Sequence, residues 1–90
     1  MKPEALKEIS IYKIWVTGFE GPLWATERQA MFIIECANKP ETRQNLLKLG
    51  NFVFKASSVS RMKQIETQRY NIPSYATQRY DEEINGLKIF

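Results

Sequence analysis

The sequence predicts an α+β domain: a small antiparallel sheet with one main helix at about 27–38 and a short second helix at about 41–49. Three observations carry this expectation. Residues 9–17 join β-branched and aromatic side chains without a breaker, as a strand does. Thr26-Glu27-Arg28-Gln29 is a capping box at the head of an apolar run. Phe52-Val53-Phe54 supplies another strand signal just past Gly50.

Taken in order, Gly18-Phe19-Glu20-Gly21-Pro22 gives the turn chemistry that ends the first strand. Leu23-Trp24-Ala25 is then a short returning strand, in a hairpin that brings Trp15 and Trp24 to similar positions. Both tryptophans read first as core or staple residues and second as ligand-stacking ones. In the helix after Thr26, the residues Glu27, Arg28, Glu35, Asn38 and Lys39 share one narrow polar sector. Ala30, Phe32, Ile33, Ile34, Cys36 and Ala37 fill most of the remainder, which predicts a broadly buried helix. Met31 falls inside the polar sector, where it is either exposed or covered by a partner.

Pro40 ends this helix, because the residue before a proline is pushed out of the α region. Residues 41–49 read as the short second helix, with Leu46, Leu47 and Leu49 as its apolar side and Gly50 just past its end. Residues 57–66 fit a strand or a Ser-capped helix. The strand is favoured because it sets Val59, Arg61, Lys63 and Ile65 on one face, as an exposed sheet surface would. Thr67-Gln68-Arg69-Tyr70 recurs as Thr77-Gln78-Arg79-Tyr80, too few copies for a repeat architecture; it reads first as a chance echo and second as an Arg–Tyr pair presented twice on an extended arm. Asn85-Gly86 is a turn signal, so the last residues are expected to dock a final short strand. The expected organisation is a core at 1–66 with a C-terminal extension at 67–90 that docks on it or stands apart.

The composition excludes much chemistry. The 90 residues include no histidine and one cysteine, Cys36, which rules out an intramolecular disulfide, a structural zinc site and any histidine-based triad. Cys36 lies on the apolar side of the main helix and reads as a buried, inert thiol. Gly18-Phe19-Glu20-Gly21 lacks the Lys and Ser/Thr of a phosphate loop. Asp81-Glu82-Glu83 cannot all converge on one ion and reads as a solvated charge run. No enzyme activity, cofactor or metal site is expected. No apolar run approaches the ~20 residues of a membrane span. Met1-Lys2-Pro3-Glu4 lacks the apolar stretch of an export signal, so a cytoplasmic protein with no membrane partner is expected.

Net charge is +3, unevenly spread. Residues 43–79 hold seven basic residues against Glu66 alone, while Asp81, Glu82 and Glu83 follow. Such a stretch attracts phosphates or an acidic protein face, or is an ordinary solvated surface. Tyr70, Tyr75 and Tyr80 lie among Arg69 and Arg79; aromatic rings stack on unpaired bases while Arg and Lys follow phosphates. The candidate nucleic-acid-binding residues are therefore Lys55, Arg61, Lys63, Arg69, Tyr70, Tyr75 and Arg79. The same Tyr/Arg composition marks protein interfaces, and tyrosines also pack a tail onto a sheet.

Gly50-Asn51-Phe52-Val53-Phe54-Lys55-Ala56-Ser57-Ser58-Val59-Ser60-Arg61-Met62, following a strand and a Thr-capped apolar helix, resembles small accessory proteins encoded by bacteriophages and prophages. The resemblance spans about residues 9–66; beyond 66 the chain departs from the pattern, and no site residue carries over. It implies the cytoplasm of an infected bacterium as the setting, and a binding or inhibitory role rather than catalysis.

The leading expectation is a non-enzymatic accessory protein that binds DNA or RNA through the basic surface in 43–79. The alternative is a protein–protein interaction module, such as an inhibitor of a host or defence enzyme. A structural virion component is a third reading. Exposed sheet edges in so small a domain also leave a homodimer open.

Overall fold

The computed structural model describes residues 8–89. The stretch 1–4, read above for an export signal, and Phe90, the end of the expected last strand, lie outside them. The elements are β1 (Glu8–Val16), β2 (Leu23–Ala25), α1 (Glu27–Asn38), β3 (Leu46–Leu49), β4 (Phe52–Lys55), β5 (Val59–Gln68) and α2 (Ser74–Ile89). Short 3-10 turns at Ala56–Ser58 and Arg69–Asn71 lead into and out of β5. One sheet has the order β2-β1-β5 and the other is the β3-β4 hairpin, with every pair antiparallel. The architecture is the α+β arrangement that the sequence predicts.

β1 sits in the middle of its sheet and is buried on both faces, but at opposite ends. Alternate residues of a strand point to opposite faces. Ile14 and Val16 pack with Leu23, Ala25, Ile33, Leu49 and Phe54, so α1 and the β3-β4 hairpin cover that face. Ile9 and Ile11 point the other way and pack with Ile72 and Ala76, just before and within α2. Two small cores thus share one strand.

The capping box forms as predicted. The Gln29 N–H donates to Thr26 Oγ1 (3.2 Å), and the Thr26 N–H donates to Gln29 Oε1 (3.1 Å). Thr26 is 2% exposed, and its hydroxyl also donates to Glu83 of α2 (2.8 Å). α1 itself is less covered than its apolar residues suggest. Ala30, Ile33 and Cys36 are buried, whereas Met31, Phe32 and Ile34 are exposed, because only one side of the helix meets the sheet.

Three local expectations are corrected. No helix forms at 41–49: residues 40–45 make turns closed by bonds such as Arg43 N–H to Lys39 C=O (3.0 Å), and 46–49 is β3. Leu47 and Leu49 face inward opposite Phe54 and Phe52, a period of two that a leucine-rich segment hides among helix formers. Gly50 then opens a two-residue hairpin turn with φ +59, while Asn51 keeps a negative φ, the sign pattern of a type II′ turn. The second helix lies instead at 74–89, where an extended arm and a final strand were expected. Ala76, Tyr80 and Ile84 recur at helical spacing there, and Asn85-Gly86 stays inside the helix. Finally, β5 does form, but Val59 does not share the face of Ile65. The register slips between Trp15 and Val16, which makes Ser60 an extra residue and turns Val59 toward the α1 core.

Gly50 is also where the hairpin meets α2: a Cβ built there would lie 2.7 Å from Tyr75 Cγ. With positive φ and no room, Gly50→Ala is expected to destabilise the fold by about 1–3 kcal/mol, read as a lower urea midpoint at unchanged m.

Candidate nucleic-acid interface

The face of the sheet that carries Ile9 and Ile11 is covered by α2 at that end, where part of Trp24 also packs against the same cluster. Further along it present Lys13 and Trp15 from β1, Trp24 from β2, and Arg61 and Lys63 from β5. Register puts them together: Lys13 is opposite both Trp24 and Lys63, and Trp15 is opposite Arg61. Directly paired residues share a face, and the diagonal neighbours Trp15 and Trp24 lie within reach of each other's surroundings. Both rings are half-buried. The Arg61 guanidinium carbon lies 4.5 Å from the Trp15 ring centre, and Lys13 Nζ lies 5.3 Å from that of Trp24. Those distances permit cation–π attraction, which orients the charges over flat aromatic surface.

Charge is segregated across the sheet. All three cations of β1 and β5 (Lys13, Arg61, Lys63) are on this face. Both acids of those strands, Glu8 and Glu66, fall on the other, opposite Gln68 and Ser10. Two lysines directly opposite each other weaken a sheet, so Lys13 and Lys63 lower stability where they stand. Local rules are broken in this way most often at functional sites.

The structure brings together two of the seven residues singled out in the sequence, Arg61 and Lys63, and scatters the rest. Lys55 is exposed at the end of β4, in the other sheet. Tyr70 is 80% exposed in the turn after β5. Arg69 beside it makes a two-pronged pair with Asp81 (2.8 and 2.6 Å), and Arg79 pairs with Glu83 one helical turn on (2.9 Å). Hydrogen bonding to Arg69 holds the Asp81 carboxyl below its ordinary value, and the same bond raises Arg69. Both groups are largely exposed, so the pair contributes at most about 1 kcal/mol.

Tyr75 is a structural residue. Its hydroxyl accepts the Trp24 N–H (3.0 Å) on the outer edge of β2, and its ring lies edge-on to Phe52, 6.0 Å between centres. The sequence reading missed Lys13 as a site residue and set Trp15 and Trp24 first in the core, which holds for Trp24, packed against the cluster of Ile9, Ile11, Ile72 and Ala76. The available signal was the phase flip in β1, from apolar residues at 9 and 11 to apolar residues at 14 and 16, which leaves Lys13 and Trp15 facing away from the second pair.

Among the described residues no three Cys, Asp or Glu side chains group as a metal site. No helix is long and apolar enough to cross a membrane. Comparisons with protein-family models, curated proteins and solved structures give no match.

Two outcomes follow from these contacts. Lys63→Glu converts the like-charge pair with Lys13 into an opposite-charge one and is expected to raise stability by about 0.2–1 kcal/mol in urea unfolding. Burial pushes the Tyr75 phenol above its ordinary value of about 10, so its stabilising contribution holds below that pH and is lost as pH rises through the higher folded value. Tyr75→Phe is expected to cost about 0.5–1.5 kcal/mol at neutral pH and to flatten the alkaline fall in stability.

Proposed function

We propose that this protein binds single-stranded nucleic acid on the uncovered half of the β2-β1-β5 sheet. The observation that carries the reading is a face with three cations, two half-buried tryptophans and no strand carboxylate. Unpaired bases offer flat π surfaces that stack on Trp15 and Trp24, and Arg61 extends the platform because guanidinium planes stack on bases too. Lys13 and Lys63 then follow the phosphates. A duplex keeps its bases stacked inside, where a flat sheet face does not reach them, so single strands of DNA or RNA are the favoured class. The chemistry is binding without bond-making: the face holds neither a histidine nor a carboxylate as base.

Trp15 and Trp24 are the chain's two tryptophans, so their fluorescence reports the site directly. A labelled single-stranded oligonucleotide is expected to quench it, with a log–log salt slope of about −1.4 for the two phosphate contacts of Lys13 and Lys63. Trp15→Ala is expected to weaken binding by about 1–3 kcal/mol. Arg61→Ala with Lys63→Ala should flatten the salt slope by about 0.7, the share of Lys63. Lys63→Glu should lose binding while gaining stability, which separates charge at the site from damage to the fold. No quenching by DNA or RNA single strands at about 50 mM salt would sink the reading.

A further inference from the structure

Between α1, β3 and α2 lies a groove of about 470 Å³ whose lining shares no residue with the tryptophan face. Ile33 and Leu49 form its buried floor, and Phe32 and Leu47 its apolar wall. Three cations stand around it: Arg28 from α1, Lys48 from β3 and Arg79 from α2. They are far apart in sequence and meet only in the fold. Arg79 is already paired with Glu83; among the described residues Arg28 and Lys48 make no ion pair and no acidic residue lines the groove.

Apolar surface continues outward from the groove instead of closing over it. Phe32 is 55% exposed. On the outer face of the hairpin, Leu46 (68% exposed) and Val53 (50% exposed) flank Lys48, with Lys55 opposite Leu46. Exposed large apolar residues set among cations of one sign favour an occupant that is both apolar and acidic, and one that extends beyond a single pocket. A nucleic acid fits less well, since the floor is aliphatic and the described lining offers a single aromatic ring, Phe32.

We propose that this groove docks an acidic peptide segment of a protein partner. The segment seats one large apolar side chain between Phe32, Leu47 and Leu49, and its carboxylates meet Arg28 and Lys48. This surface is separate from the tryptophan face, so either can fail without the other.

The test is selection of a displayed library of random twelve-residue peptides against the full chain, followed by anisotropy of the enriched peptides with labelled single-stranded DNA as a second probe. The expected consensus is Asp and Glu flanking Trp, Phe or Leu. Its affinity should fall roughly tenfold or more in Phe32→Ala, and likewise in Arg28→Glu and in Lys48→Glu, all exposed positions whose unfolding curves report retention of the fold. Lys13→Glu, on the tryptophan face, should leave peptide affinity unchanged. An enriched set without acidic residues would overturn the proposal, as would one indifferent to these three substitutions, or no enrichment at all. DNA binding lost in Lys48→Glu but kept in Lys13→Glu would reassign the groove to nucleic acid.

Discussion

The fold rests on one strand that is buried twice. β1 gives Ile14 and Val16 to the core under α1 and Ile9 and Ile11 to the core under α2, and it is the one strand of its sheet paired along both edges. A domain of this size has little apolar area to spare, and sharing a strand between two cores spreads burial without adding chain. The arrangement has a geometric consequence. Since the core under α2 takes in Ile9, Ile11 and part of Trp24, the same face stays partly exposed at Lys13 and Trp15.

What holds α2 to one half of the sheet is a small set of polar bonds beside an apolar contact. The buried Thr26 hydroxyl donates to the Glu83 carboxylate, and Tyr75 accepts the Trp24 N–H on the edge of β2. A hydrogen bond to a charged group typically contributes about 1.5–3 kcal/mol, more than the exposed Arg69–Asp81 pair can. Tyr75 also fills the space above Gly50, so the hairpin turn, the β2 edge and the helix start meet at one ring. By covering the free edge of β2 at Trp24, Tyr75 removes a donor on which another strand could pair.

The two candidate surfaces differ in physics. The tryptophan face is flat, with rings under cations, and keeps a like-charge pair that sheet stability alone would not favour. The groove is concave and apolar, with an aliphatic floor and cations at its rim. The first suits stacking and phosphate contacts; the second suits an anchored apolar side chain with carboxylates around it.

Local signals were legible in the sequence wherever the short-range chemistry was unambiguous. The strand near 9–17, the return at 23–25, the Thr26 capping box and the helix at 27–38 all follow from side-chain type and spacing over a few residues. The segments read wrongly were those in which propensity and packing disagree. Helix-forming Leu and Lys at 46–49 adopt a strand because Leu47 and Leu49 both have an inner face to fill, and 74–89 coils because Ala76 and Tyr80 find the Ile9–Ile11 core. The candidate interface was half legible. Arg61 and Lys63 follow from the alternation along β5, but nothing local shows that register sets them beside Lys13, Trp15 and Trp24. Composition and short-range patterns thus determined the fold class and the absence of histidine chemistry. Which cations share a face, and which aromatic rings remain partly exposed there, was decided by strand register and by where α2 lands, because both depend on contacts between residues distant in the chain.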